Sequence, residues 1–421
     1  MSTRVPRAVW LAVAAGLAAR LVFALGYWTD KPLTQDEQEY LALAAGIASG
    51  RGFVAELPGL PDGPPAERFS RAPLYPAFLA AVHLAARLPI DRLPTSVPRA
   101  VQVAQACVSV LAIWLIAGLA SRAGGPRAGS IAAWMAALHP VMIWLPAYAL
   151  TECVYSTAVL AAVWWLGVRT DRPEQEPAAP GWAAALAGAL SGAAVLIRSA
   201  TLVFAALAVA WLLKRRQARD AIAFAVCAAA VVAPWTARNV VTHARPMLVA
   251  ADGGVNFWIG NHPDAIGEGD LAANPRLKDA HVAFRSGLSG LTPEQREPFY
   301  YRAALRFIAD HPGRWLRLEA RKAFYMAVPI GPSYRLHSTR YFLGTVIPYG
   351  LLLPLALVGF WRMRQAGRMP VSLCLLPLSY VVICLVFFPQ ERFRVPAVDP
   401  ALIVGASALL AGLAQHRSRE T

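Results

Sequence analysis

PLYPAFLAAVHLAARL, residues 73–88, is the stretch on which the arrangement of the whole chain turns. It is apolar and helix-prone, but 16 residues of helix extend only about 24 Å, at the short limit for a hydrocarbon core of roughly 30 Å. Counted as a span, it reverses the sidedness of everything downstream. Read as an interfacial or re-entrant helix, it leaves ten spans, at residues 8–28, 99–120, 128–145, 151–168, 181–197, 200–213, 220–237, 341–361, 369–388 and 395–413. The positive-inside rule decides between the two. With ten spans and a cytoplasmic N-terminus, Arg4 and Arg7, Arg122 and Arg127, Arg169 and Arg172, Lys214, Arg215, Arg216 and Arg219, Arg362, Arg364 and Arg368, and Arg417 and Arg419 all face the cytoplasm. The short external turns at 146–150 and at Ser199 are nearly free of positive charge. With eleven spans, the Lys214–Arg216 cluster and the basic C-terminus would lie outside. The ten-span reading is preferred.

Composition points the same way. Of 421 residues, 57% are hydrophobic and 15% charged, and the mean hydropathy is +0.44. A soluble domain is nearer a quarter charged. The apolar runs are rich in Ala, Leu and Val without alternation, which selects helices over a β-barrel. The expected fold is therefore an all-α polytopic membrane protein. The net charge of +15 lies mostly at span ends and in loops, where Lys and Arg set orientation and meet anionic lipid, so no nucleic-acid partner is expected. Cys107, Cys153, Cys227, Cys374 and Cys384 fall in or beside spans with no CxxC or Cys/His cluster, and read as packing residues. Arg4 and Arg7 before an apolar run imitate a signal peptide, but the run is long and offers no convincing small-x-small cleavage site, so it reads as an uncleaved span.

The chain divides into residues 1–237, with a first external loop at 29–98, a second external loop at 238–340, and C-terminal spans at 341–421. The first loop holds a Pro/Gly-rich stretch at 57–65. The second is basic, with 14 Lys/Arg against 9 Asp/Glu. Within it, residues 293–328 read as two amphipathic helices broken at Asp310-His311-Pro312-Gly313. Their interleaved aromatic and basic residues suit either a helix on anionic headgroups or a small subdomain packed on the bundle. No internal repeat is visible.

Under this topology, scattered ionisable residues converge on the external face: Asp36 and Glu37, Arg71, Glu152, Arg198, Arg238, and Glu391-Arg392-Phe393-Arg394. Charges gathered on one side of a helical bundle are what an active site there needs. Asp36 and Glu37 also fit a plain helix-capping role, and Glu152 the acid of a helix first turn. For each arginine the alternative is an interfacial anchor, and for Glu391 and Arg394 a local ion pair.

Thr34-Gln-Asp36-Glu37-Gln-Glu39-Tyr40, followed by Gly50-Arg51-Gly52-Phe53, resembles the polyprenyl-phosphate-sugar-dependent glycosyltransferases of the C superfamily, nearest the protein O-mannosyltransferase and aminoarabinose-transferase group. Further matches run in order: Arg71-Ala72-Pro73-Leu74-Tyr75-Pro76, Leu150-Thr151-Glu152, Pro234-Trp235-Thr236-Ala237-Arg238-Asn239 and Glu391-Arg392-Phe393-Arg394-Val395-Pro396. Ala72 departs from the family's Arg-Pro-Pro-x-Tyr-Pro. The resemblance implies a fold of that superfamily in a bacterial cytoplasmic membrane, with both termini cytoplasmic and an extracytoplasmic active site. It implies inverting transfer of a sugar from a polyprenyl-phosphate donor to an acceptor hydroxyl on protein, lipid or glycan. Asp36 would be the general base and Glu37 its helper. Tyr40, Arg71, Tyr75, Glu152, Arg198, Arg238, Glu391, Arg392 and Arg394 would bind substrate, the arginines because a guanidinium matches phosphate oxygens bidentately. His262, His281, His311 and His337 lack metal-ligand spacing, so no metal site or other cofactor is expected, with a divalent ion between acid and phosphate left open. Two rivals stand beside this reading: a surface-polysaccharide polymerase or ligase, and a flippase for a lipid-linked sugar.

Overall fold

The computed structural model describes residues 6–55, 71–89, 93–171, 180–243, 247–328 and 330–420. The Pro/Gly-rich stretch at 57–65, Arg4 and Arg172 lie outside the described residues, as do the side chains of Arg417 and Arg419. All regular structure among the described residues is helical. Five helices are long and apolar enough to cross a membrane: Arg7–Tyr27, Arg99–Gly124, Glu152–Thr170, Ala218–His243 and Thr339–Gln365. The chain is a multi-pass membrane protein.

The count of ten spans is not confirmed. Two of the expected spans are broken helix pairs, Pro126–Leu138 with Pro140–Ala147, bent by 59°, and Glu391–Ala397 with Asp399–Gln415, bent by 51°. Counting each pair as one span gives seven. Three more expected spans are the helices Trp182–Ile197, Thr201–Lys214 and Val371–Val386, of 16, 14 and 16 residues. Those lengths correspond to about 21–24 Å, short of a full hydrocarbon core. Within residues 73–88 the helix is Leu74–Ala86, only 13 residues, which packs chiefly against Gln35–Ala48.

The breaks have identifiable causes. Pro140 lacks an N–H and disfavours helical backbone at His139, which sits extended at φ −65°, ψ 117°. The carbonyl four residues before that proline, on Ala136, loses its helical donor. Arg20, 1% exposed inside Arg7–Val22, supplies one: its guanidinium donates to Ala136 O at 3.4 Å and Ala137 O at 3.3 Å. A buried arginine thus satisfies backbone that a lipid environment cannot. The second break precedes Pro400, and its Asp399 carboxylate lies 3.6 Å from His139 Nε2 and 3.1 Å from Arg394 Nε. The two bends therefore meet at one buried polar group.

Elsewhere the helices approach through small residues. Thr339–Gln365 crosses Asp399–Glu420 where a Cβ on Gly359 would run into the Gly405 carbonyl. Backbone on both sides leaves little to yield. Gly359→Ala should cost about 1–3 kcal/mol, read as a lower thermal midpoint in detergent. A midpoint unchanged within error would mean that this crossing yields to a methyl group.

The second large loop folds over one end of the bundle. Gly253–Gly260, Pro275–Ser286, Pro293–Asp310 and Pro312–Ala327 bury Trp258, Leu277, Tyr300, Phe307 and Leu318 together with Phe388. Asn261 Nδ2 donates to Val386 O at 2.9 Å, and Lys322 Nζ, fully buried, donates to Leu385 O at 2.9 Å. The amphipathic helices therefore form a small core on the bundle, the alternative that hydrophobic patterning alone left open. Leu316 and Phe324 on the outer helix stay exposed.

Candidate active site

Gln35–Ala48 starts where its sequence says it should. Thr34 is the N-cap, and Glu37 completes a capping box: Glu37 Oε2 accepts from Thr34 N at 2.8 Å, and Thr34 Oγ1 from Glu37 N at 3.4 Å. The other Glu37 oxygen accepts from Ala149 N at 3.0 Å, tying the helix to the turn before Glu152–Thr170. Glu37 is 2% exposed and its observed contacts are all structural. They secure the helix start, which leaves the neighbouring Asp36 carboxylate available to other elements.

Those elements bring three guanidiniums. Arg71 Nη2 lies 2.5 Å from Asp36 Oδ1 and 2.8 Å from Glu39 Oε2. Arg392 Nη1 lies 2.7 Å from Asp36 Oδ2, and its Nε 3.8 Å from Glu152 Oε1. Arg198 Nη1 lies 3.2 Å from that same Glu152 oxygen. Five elements thus contribute to one network of three arginines and three carboxylates: the start of Gln35–Ala48, the segment before Leu74–Ala86, the first turn of Glu152–Thr170, the break after Trp182–Ile197, and Glu391–Ala397. Aromatic rings fix the cations. The Arg71 guanidinium is 4.8 Å from the Tyr40 ring centroid and Arg198 is 4.2 Å from that of Phe393. The Arg392 and Asp36 side chains are 36% and 26% exposed, against 2% for Glu152, so the network opens toward the Asp36–Arg392 bridge.

Burial alone would raise the Asp36 carboxyl, but the Arg392 and Arg71 guanidiniums outweigh it and hold the group well below the usual carboxylate range. In this state Asp36 is an anion that organises cations, and too weakly basic to accept a proton near neutrality. An incoming anion that drew the guanidiniums away would reverse that.

The remaining expected site residues take other places. Tyr75 is fully buried, its hydroxyl 2.9 Å from Gln105 Oε1 and its ring edge-on to Tyr40 at 4.9 Å, so it backs Tyr40. Arg238 lies over the Trp235 ring at 4.8 Å and toward Phe53 at 5.9 Å, on the face of Gln35–Ala48 that carries Ala42 and Leu43. Glu391 faces Tyr334 and Thr345. Arg394 is 2% exposed, turned into the bundle, bonded to Asp399 and 4.3 Å from the Tyr349 ring. Glu391 and Arg394, three residues apart on the helix Glu391–Ala397, stay in each other's electrostatic field, but the close partner of Arg394 is Asp399, and the helix turns residues 392 and 394 to different sides. Glu39 was missed. Its three-residue spacing from Asp36 on a helix was the available signal. Among the described residues no group of three or more His, Cys, Asp and Glu is gathered for a metal ion.

No protein-family model and no curated protein sequence matches the chain. In fold it is similar to the oligosaccharyltransferase AglB of Archaeoglobus fulgidus in complex with an inhibitory peptide and a dolichol-phosphate, with a TM-score of 0.58 and 15% identity over 98% of this chain and 51% of that one. The crystal structure of the Archaeoglobus fulgidus oligosaccharyltransferase with Zn and sulfate gives a TM-score of 0.57 and 14% identity over 96% and 49%. ArnT from Cupriavidus metallidurans bound to undecaprenyl phosphate gives 0.42 and 14% over 96% and 78%. The chain spans about half the length of the archaeal structures, and at such identities the likeness is one of fold.

Proposed function

We propose that the chain is an integral membrane glycosyltransferase that moves a sugar from a polyprenyl-phosphate donor to an acceptor hydroxyl. The observation that carries the reading is the convergence of Arg71, Arg198 and Arg392 on the Asp36–Glu39–Glu152 carboxylates at one end of an apolar helical bundle. Three fixed guanidiniums beside lipid-facing helices suit a phosphate carried on a membrane lipid. The fold neighbour solved with a dolichol-phosphate supports the same class of ligand. An extracytoplasmic site is supported by the loop charges: Lys214, Arg215 and Arg216 and the Arg362–Arg368 group lie at the opposite ends of their helices from the network.

In the proposed reaction the acceptor oxygen bonds to the anomeric carbon as the bond from that carbon to the phosphate oxygen breaks. The electron pair stays on the phosphate, neutralised by arginine, and the product is polyprenyl phosphate. The acceptor proton passes to Asp36. That role follows once the phosphate has taken up Arg392 and Arg71, because their departure returns the carboxylate toward ordinary basicity. Single displacement inverts the anomeric centre. Glu39 and Glu152 hold the arginines in register.

The test is release of polyprenyl phosphate from a panel of polyprenyl-phosphate sugars by purified protein in proteoliposomes with candidate acceptors. Acceptor-dependent release supports the reading. A second reading, a flippase for the same lipid, gains one observation: the two bent helix pairs meet at the buried Arg394–Asp399–His139 group. Transbilayer movement of the intact sugar-lipid with no release of polyprenyl phosphate would favour that rival.

A further inference from the structure

After Ala218–His243 the chain turns back along that helix. Trp235 Nε1 donates to Val249 O and Thr236 Oγ1 to Leu248 O, both at 2.8 Å, while Asn239 Nδ2 donates to Met247 O and Val249 O at 3.2 Å each. Val249 and Ala250 pack with Leu196 and Ala72, near neighbours in the chain of Arg198 and Arg71. The segment 247–252 is thereby laid along one flank of the arginine network.

Its last residue, Asp252, occupies the N-cap position of Gly253–Gly260, and its carbonyl accepts from Asn256, yet its side chain makes no capping bond to the helix. Glu297, on Pro293–Asp310, does that work from across the loop: Gly254 N donates to Glu297 Oε1 at 3.0 Å, and the same carboxylate accepts from Gly253. The two glycines make the approach possible. A Cβ on Gly253 would meet Tyr301 Oη at 2.5 Å, and one on Gly254 would meet the Glu297 carbonyl at 2.8 Å. The Asp252 carboxylate accepts from its own backbone N–H and lies in the field of Arg71 and Arg198, with Glu297 and Tyr301 among its charged or titratable neighbours. Burial pushes the carboxyl up to about 6, against the pull of Arg71 and Arg198 and with Glu297 adding to the rise.

A carboxylate repels phosphate and accepts hydrogen bonds from hydroxyls. Placed beside phosphate-holding arginines, it faces whatever the phosphate carries. We propose that Asp252 is the sugar-recognition residue of the site, its carboxylate accepting hydrogen bonds from hydroxyls of the sugar on a lipid-phosphate donor. The assignment rests on the donor reading above. It predicts selectivity for the sugar-bearing lipid over the bare one, and an affinity that falls as pH is lowered through about 6, when the carboxyl gains a proton and loses acceptor capacity.

The experiment compares binding of an undecaprenyl-phosphate hexose with binding of undecaprenyl phosphate, for wild type, Asp252→Asn and Asp252→Ala, between pH 5 and 8. The phosphodiester of the sugar-lipid does not titrate in that range, so its pH dependence reports the protein. Asp252→Ala should weaken the sugar-lipid about tenfold and leave the bare lipid within about twofold. Asp252→Asn, which keeps the shape, should bind the sugar-lipid without the acid-side loss. Equal weakening of both lipids would make Asp252 a packing residue of the loop and overturn the assignment, as would no change in either. Wild type that binds the bare lipid but shows no preference for the sugar-lipid overturns Asp252 alone. Wild type that binds neither overturns the donor reading and this one with it.

Discussion

Asp36→Asn is expected to lower acceptor-dependent release of polyprenyl phosphate by about 10²- to 10⁴-fold while polyprenyl-phosphate binding is kept or tightened. The two halves of this expectation have one cause. An amide keeps the shape of the side chain but cannot take the acceptor's proton. It also stops competing for Arg392 and Arg71, which now bridge Asp36 at 2.7 and 2.5 Å, so an incoming phosphate has less to displace. Helix capping is spared, because Thr34 and Glu37 perform it. The unliganded variant should lose some thermal stability, since two partly buried cations lose a counter-charge, and added polyprenyl phosphate should restore it. For the wild type the linkage sign follows from the depressed carboxyl. Its bridges stabilise above the unfolded carboxyl value, near 3.9, and fail only as pH drops through the still lower folded one, so they persist across the neutral range. Turnover unchanged in Asp36→Asn would remove the residue from proton transfer. Loss of lipid binding along with turnover would make it a structural counter-ion.

The sequence made the helical membrane class legible because it rests on length and composition: runs of Ala, Leu and Val leave no other way to satisfy backbone in lipid. The span count was less legible. Pro140 and Pro400 sit inside apolar runs that hydropathy reads as continuous, and only three-dimensional contacts show Arg20 and Asp399 accommodating the breaks. In the site, Asp36, Arg71, Glu152, Arg198 and Arg392 were all named from sequence, and the fold brings them together. What spacing could not tell was direction. Glu37 is adjacent to Asp36 and chemically its equal, yet its oxygens are spent on Thr34 and Ala149. Arg392 and Arg394 are two residues apart, and the turn that joins the spans proved to be a short helix that sends them to different surroundings. Glu39 shares a helix face with Asp36 by its three-residue spacing, but the cation that binds both, Arg71, comes from a separate segment that spacing does not connect to them.

That difference between Arg392 and Arg394 gives the second large expected effect. Arg394→Met should destabilise the folded protein by about 3–5 kcal/mol, because it strips the Asp399 carboxylate, 1% exposed in the bundle, of its guanidinium and leaves only His139 at 3.6 Å. Replacing both partners removes the stranded charge, so Arg394→Met combined with Asp399→Asn should be clearly more stable than Arg394→Met alone. Arg392→Met, by contrast, should leave the thermal midpoint nearly in place, since the Arg392 side chain is 36% exposed and its bridge to Asp36 is partly screened. Its loss should appear in turnover and in donor affinity. The two variants thus separate the roles of neighbouring arginines: Arg394 fixes the short helix Glu391–Ala397 to the bundle, and Arg392, carried on that helix, is held at the mouth of the network. Thermal denaturation in detergent together with donor titration decides the point. Arg394→Met with an unchanged midpoint and a raised donor KM would place Arg394 on the phosphate after all, as the sequence resemblance implied, and would leave the bend at Asp399 held by packing alone.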